Sequence, residues 1–265
     1  MQMRRKYSYY LTSAGELLFG FRNWFEVVRI FLGVAGAGPH TVVLRSTGLS
    51  FLTRGKMDIW TIKETFLDRF YEIYGFPIGR GWVIMDIGGG VGDFSILSAR
   101  ADPQNHVVVF EPTPESLHLL KLNLQTNGIS NADTYGEAVW SGNGGVELQM
   151  NAGDAVQFSS RSASGPGGAT AVPSLRLSDA LERVPGRRCD LLKVDCEGAE
   201  YPIFYSTGAE VFSRIERIVM ETHEGVMPND NAAALASYLR QQGYAVETFA
   251  NPVHAHLGYL RAWRG

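Results

Sequence analysis

Apolar and polar residues change their period several times along this chain. Phe19, Phe21, Trp24, Phe25, Val28, Phe31 and Leu32 recur at nearly helical spacing, which predicts a helix packed on a larger body. Thr41 to Arg45 and Leu49 to Thr53 alternate as short strands do around Ser46-Thr47-Gly48, a hairpin signal. Ile62, Phe66, Phe70 and Ile73 then share one stripe, which predicts a helix over 59–74 ended by Pro77.

From Trp82 onward, short apolar runs alternate with helical stretches. Val83 to Met85 reads as a buried strand, Gly88 to Gly92 as a turn and Asp93 to Arg100 as a helix. Val107 to Phe110 is a second strand. Thr113-Pro114 opens another helix, with Leu117, Leu120 and Leu124 inward and Gly128 past its end. Asp133 to Val139 and Val146 to Met150 read as strands, and Ser159 to Gly168 as a polar surface loop. Leu191 to Val194 is a strand running into Asp195, followed by a helix over 199–205. Ile218 to Met220 is a strand ending in Glu221-Thr222-His223, followed by a helix over 231–242 and two final strands, 244–249 and 257–263. Strand and helix alternate from 82 to 242, which predicts a parallel sheet with helices on both faces. Residues 1–75 form a helical and hairpin extension, and 76–265 the main domain.

Composition narrows the classes. Lys plus Arg total 24 against 27 Asp plus Glu, a net charge of −3, so nothing draws the chain to nucleic acid. The two cysteines, Cys189 and Cys196, exclude a disulfide scaffold and a thiolate zinc site. With no Asn-x-Ser/Thr sequon, they point to the cytoplasm. The apolar run Leu17 to Gly38 is broken by Arg22, Glu26 and Arg29; it neither spans a bilayer nor resembles a signal peptide. Residues 1–35 also carry Arg4, Arg5 and Lys6, so peripheral contact with an anionic membrane is the alternative to plain packing. Nothing in the sequence sets an oligomeric state.

The turn Asp86-Ile87-Gly88-Gly89-Gly90-Val91-Gly92 lies between a predicted strand and a predicted helix. Each glycine lets a ligand approach the backbone, and the helix start favours an anionic group. A nicotinamide fingerprint would need a final glycine where Asp93 stands, and its carboxylate would repel a pyrophosphate. No Gly-Lys-Ser/Thr follows to cradle phosphates. Asp-x-Gly-x-Gly-x-Gly suits S-adenosylmethionine: Gly88, Gly90 and Gly92 shape the turn, and Asp86 could approach the ammonium. Asp93 is expected to cap its helix. Glu111, ending the second strand, is the expected acceptor for ribose hydroxyls. Glu137 and Ala138, ending the third, are expected beside the adenine.

These residues, with Phe110-Glu111-Pro112, Leu122 to Gly128 and Leu192 to Glu200 (LKVDCEGAE), resemble the FkbM-type family of S-adenosylmethionine-dependent methyltransferases. The likeness runs from about 40 to 225 and leaves out 1–40 and 159–168; Gly89 departs from a commoner alanine. The resemblance implies a class I, Rossmann-like fold: a mostly parallel seven-stranded sheet, helices on both faces, last strand antiparallel. It also implies methylation of a hydroxyl on a sugar, polyketide or other small metabolite.

Attack by a neutral hydroxyl needs a base. His223, at the end of the fifth strand, has a fitting unperturbed pKa and is the candidate base. Asp195 is placed to orient the acceptor, and Glu197 completes the catalytic set. By alternation Lys193 and Asp195 share a face and could pair. Glu197 and Glu200 could instead be helix-start carboxylates, and His223 a structural histidine. Asp195, Glu197, Glu221 and His223 match no metal motif, so no metal is expected. Amine methylation, an NAD(P)-dependent oxidoreductase and a non-catalytic binding module are the alternatives.

Overall fold

The runs VIM, VVVF and LLKV offer almost no polar face to water, so each strand must be covered on both sides. The computed structural model describes residues 2–150, 156–158, 170–225, 227–251, 253–254 and 256–265 and supplies that cover. The extension holds helices α1 (Gln2–Gly20) and α2 (Trp24–Phe31), the hairpin β1 (His40–Val43) and β2 (Ser50–Thr53), and α3 (Lys56–Phe66). The main domain runs β3 (Val83–Ile87), α4 (Asp93–Ala101), β4 (His106–Phe110), α5 (Pro114–Thr126), β5 (Ala132–Tyr135). It continues β6 (Ala138–Trp140), β7 (Gly144–Met150), β8 (Val156–Phe158), β9 (Thr170–Arg176), α6 (Leu177–Leu181), β10 (Leu191–Val194). It closes with α7 (Glu200–Tyr205), α8 (Ala209–Phe212), β11 (Arg217–His223), α9 (Ala232–Gln241), β12 (Ala245–Ala250) and β13 (Leu257–Trp263).

Seven strands form one sheet in the order β12-β13-β11-β10-β3-β4-β5. Only β13 runs against its neighbours. Alternation splits the core: Ile84, Val107, Val109 and Leu191 pack on one face with Phe21, Phe51, Ile59, Ile62 and Phe94. Met85, Val108, Phe110, Leu192 and Val194 pack on the other with Ile203, Phe204, Phe212 and Leu239. The extension therefore shares the main domain's core. The 159–168 loop lies outside the described residues.

Four expectations need correction. The strand over 133–139 breaks at Gly136-Glu137: β5 joins the main sheet, and β6 enters a second, four-stranded sheet, β6-β9-β7-β8. Its member β9 had no clear signal. The helix over 59–74 ends at Phe66, Arg69 turns left-handed (φ 57), and a wide helical turn, Tyr71–Gly75, follows. The single N-terminal helix is two, because Phe21 leaves the helix to bridge Leu44. On α5, Leu119 is buried where Leu117 is only half-buried.

Two asparagines on α5 pair the hairpin edge as a strand would. Asn123 accepts from Leu52 N at 2.7 Å and donates to Leu52 O at 3.1 Å. One turn on, Asn127 accepts from Ser50 N at 3.0 Å and donates to Ser50 O at 2.8 Å.

Helix α1 is clamped to α3 by a buried lysine. Lys63 Nζ lies 2.8 Å from Glu16 and 2.7 Å from Asp68, over the rings of Tyr9 and Trp60. Removing one partner of a buried pair costs about 3 kcal/mol or more. Lys63→Ala is expected to lower the urea midpoint accordingly, and Lys63→Arg to lower it less. An unchanged midpoint in the alanine variant would show that the clamp adds nothing.

Candidate active site

The glycine turn leaves β3 with Gly88, Gly90 and Gly92 all at positive φ (82, 53 and 89°). A Cβ on Gly88 would lie 1.8 Å from the Asp195 carbonyl oxygen, whereas one on Gly90 meets nothing within 4 Å. Gly88 is thus demanded by packing, while Gly90 faces open crevice. Gly90 N donates to Glu111 Oε2 and Thr113 N to Glu111 Oε1, both at 2.8 Å. Glu111 therefore braces the turn. Burial raises its pKa, against the opposing pull of these amides.

Asp86, expected to reach the ammonium, has no exposed surface. Ser95 Oγ donates to it at 2.6 Å, and Lys193 Nζ lies 3.0 Å away. Lys193 also donates to Gly88 O at 2.6 Å and stands 4.0 Å from Asp195. Its main partner is thus Asp86, the residue opposite it in register. Burial works against the lysine's charge, but Asp86, Asp195 and Asp93 outweigh it and raise its pKa. Asp93 does not cap α4. Gly92 holds that position, and Asp93 accepts a hydrogen bond from Thr65 Oγ1. Burial pushes its pKa up to about 6.

Beyond the turn opens a cavity of about 1140 Å³. Gly88, Gly90, Asp93 and Lys193 form its floor; Asp195, Glu197, Glu221 and His223 line it from the ends of β10 and β11. Trp60, Glu64, Thr65 and Tyr71 close it from the extension. Tyr71 Oη donates to Asp195 Oδ2 at 2.9 Å.

His223 is held on both ring nitrogens. Nδ1 lies 3.1 Å from Glu200 Oε1, which also accepts from the His223 backbone N at 2.7 Å. Nε2 lies 3.4 Å from Glu197 Oε2. Burial opposes the imidazolium, but the Glu200 hydrogen bond and the charges of Glu200, Glu197 and Asp195 prevail. The pKa rises to about 10. With a carboxylate on each ring nitrogen, the imidazolium form is favoured, which weighs against His223 as a free base. Burial raises the pKa of Glu197 and, more strongly, that of Glu221. Asp195, Glu221 and His223 offer ligand atoms within 4.8 Å of one another.

Of the expected site residues, the cavity thus gathers Gly88, Gly90, Asp195, Glu197 and His223. Asp86, Gly92 and Glu111 stand behind it. Glu137 and Ala138 lie on the strand break, where Glu137 pairs with Arg183 at 2.6 Å and Ala138 is buried. Sequence reasoning missed Glu64, and also Thr65 and Tyr71, whose partners Asp93 and Asp195 are remote in sequence. It placed Glu200 correctly at the helix start but missed its hold on His223.

This strand order, with a glycine turn opening onto a crevice at the strands' carboxyl ends, defines a class I S-adenosylmethionine-dependent methyltransferase. The family model of the Methyltransferase FkbM domain matches residues 86–246, and the chain belongs to that family. Methyltransferase sdnD of Sordaria araneosa is 30% identical over 72% of this chain and 85% of its own length. Methyltransferase 1 of Beauveria bassiana is 27% identical over 69% and 80%. The 31-O-demethyl-FK506 methyltransferase FkbM of Streptomyces tacrolimicus is 24% identical over 73% and 84%. Among solved structures, a SAM-dependent methyltransferase from Aquifex aeolicus aligns over 78% of this chain and 96% of its own at 11% identity, with a TM-score of 0.42.

The protein is a methyltransferase and its cofactor is S-adenosylmethionine; the oxidoreductase alternative is set aside. The crevice fits that group. It has open space at Gly90 and an excess of carboxylates to face a sulfonium and an ammonium.

Two expectations follow. Gly90→Ala carries only the left-handed backbone cost of about 1 kcal/mol and keeps the fold, yet loses most of the thermal shift given by S-adenosylmethionine. Gly88→Ala loses the fold itself. A Gly90→Ala protein that binds the cofactor as the parent does would mean the turn serves packing alone. The second concerns pH. Because Asp93 titrates near 6 in the fold against about 3.9 in an unfolded chain, its ionisation opposes folding. That cost is absent below about pH 4 and complete above pH 6, on the order of 3 kcal/mol. Asp93→Asn is expected to melt above the parent at pH 7.5, with the gap closing by pH 4; a constant gap would refute the assignment.

Proposed function

We propose that this enzyme methylates a hydroxyl oxygen on a small metabolite such as a sugar or polyketide, with Glu197 as proton acceptor. The observation that carries the reading is the cavity beside the glycine turn, walled by carboxylates and aromatic rings. Glu64, Asp195, Glu197, Glu221, Glu224 and Asp230 would repel a phosphate backbone. A compact, uncharged acceptor suits such a wall. The relative named for 31-O-demethyl-FK506 supports oxygen as the atom methylated.

When bound, S-adenosylmethionine supplies a methyl carbon on sulfonium sulfur, and the C–S electron pair stays with sulfur as the acceptor oxygen bonds to carbon. The chain's residues align and deprotonate. Asp195, steadied by Tyr71 Oη, orients the acceptor hydroxyl. Glu197 takes its proton; burial has raised that carboxyl's proton affinity, and His223 holds it from behind. Alignment of this kind is worth roughly 7–11 kcal/mol. The acidic wall equally suits an ammonium, so amines belong in the same acceptor screen.

The test supplies radiolabelled S-adenosylmethionine with panels of hydroxylated and amine acceptors. Labelled ether is expected. Glu197→Gln should keep cofactor binding and lower kcat roughly 10²-fold or more. Parent-like turnover in that variant removes Glu197 as proton acceptor, and label found only on nitrogen removes the hydroxyl reading.

A further inference from the structure

Helix α2 is apolar on two sides. Val27 and Ile30 are buried against the body. Trp24, Phe25, Val28, Phe31 and Leu32 fall within an arc of about 120° on its other side. That side faces outward: Phe25 is 63% exposed, Leu32 71% and Trp24 44%. Phe19, at the end of α1, is 77% exposed. Of the thirteen large apolar side chains exposed among the described residues, nine fall between Tyr10 and Val34. Scattered exposed apolar residues need no explanation, but a concentration of this kind does.

Charge says what covers it. Residues 1–55 hold seven basic side chains against two acidic ones, Glu16 and Glu26. The whole chain carries −3, so this segment is +5 and the remainder −8. Both acids are already engaged: Glu26 by Arg29 and His40, each at 2.9 Å, and Glu16 by Lys63 at 2.8 Å. Arg22 and Arg45 are exposed, and Arg45 donates to Phe19 O and Phe21 O, at the foot of the aromatic patch. Exposed aromatics beside the exposed Arg22 and Arg45, on a segment of net positive charge, match a bilayer interface with anionic headgroups. A second copy of the chain would set this positive face against itself. No helix among the described residues is long and apolar enough to cross a membrane, so contact would be from one side only. We infer that the outer face of α2, with Phe19, docks this enzyme on anionic lipid.

The inference does not depend on the acceptor. Its test is flotation of the full chain with phosphatidylcholine vesicles, with and without phosphatidylglycerol. Binding is expected with the anionic vesicles, weak with neutral ones, and falling as salt rises. Phe25→Ser/Leu32→Ser should weaken it at least about tenfold while leaving the melting temperature and cofactor binding at parental values. Arg22→Gln/Arg29→Gln should reduce the preference for anionic lipid. Three results would overturn the proposal: no binding at saturating anionic lipid, equal binding by the serine variant, or self-association in sedimentation that this variant abolishes without any lipid binding.

Discussion

An ammonium group taken out of water must find negative partners on several sides, or the fold loses more than it gains. Lys193 is such a group, buried where β10, β3 and the glycine turn meet. Register sets Asp86 opposite it, the turn offers the Gly88 carbonyl, and Asp195 approaches from the strand end. None of these can shift alone. The Asp195 carbonyl occupies the space a Cβ on Gly88 would need, so the turn and the end of β10 are fixed relative to each other. The glycine turn and the carboxyl end of β10 are built around one buried cation.

The cavity above this junction is rich in negative charge. Burial raises the proton affinity of Asp93, Glu197 and Glu221 because low dielectric disfavours their ionised forms. Glu200, with Glu197 and Asp195, outweighs desolvation at His223 and raises its pKa. A site built this way wants positive charge. S-adenosylmethionine carries a sulfonium and an ammonium, and walls of this charge would suit both.

Much of the fold was legible because its strands are buried on both faces and therefore read as short, unbroken apolar runs. The glycine turn was legible too, since clustered glycines mark a backbone that takes left-handed conformations and close approach. Interactions between distant segments were not. Tyr71 sat in a stripe that read as helix, and nothing in the sequence says that its hydroxyl meets Asp195, 124 positions later. Breaks were equally hidden. The run 133–139 has strand character throughout, and only tertiary pairing divides it at Gly136-Glu137. His223 was found by its place at a strand end. Its charge depends on Glu200, whose reach back across the fold no local pattern records.

The paired amides of Asn123 and Asn127 on β2 reach further than the hairpin they satisfy. The same Asn123 donates to Val91 O, inside the glycine turn, so one side chain joins the N-terminal region to the cofactor's cradle. A chimera that exchanged residues 1–55 for a relative's would inherit a foreign edge. It would register only if both asparagines, more than seventy positions further on, travelled with it.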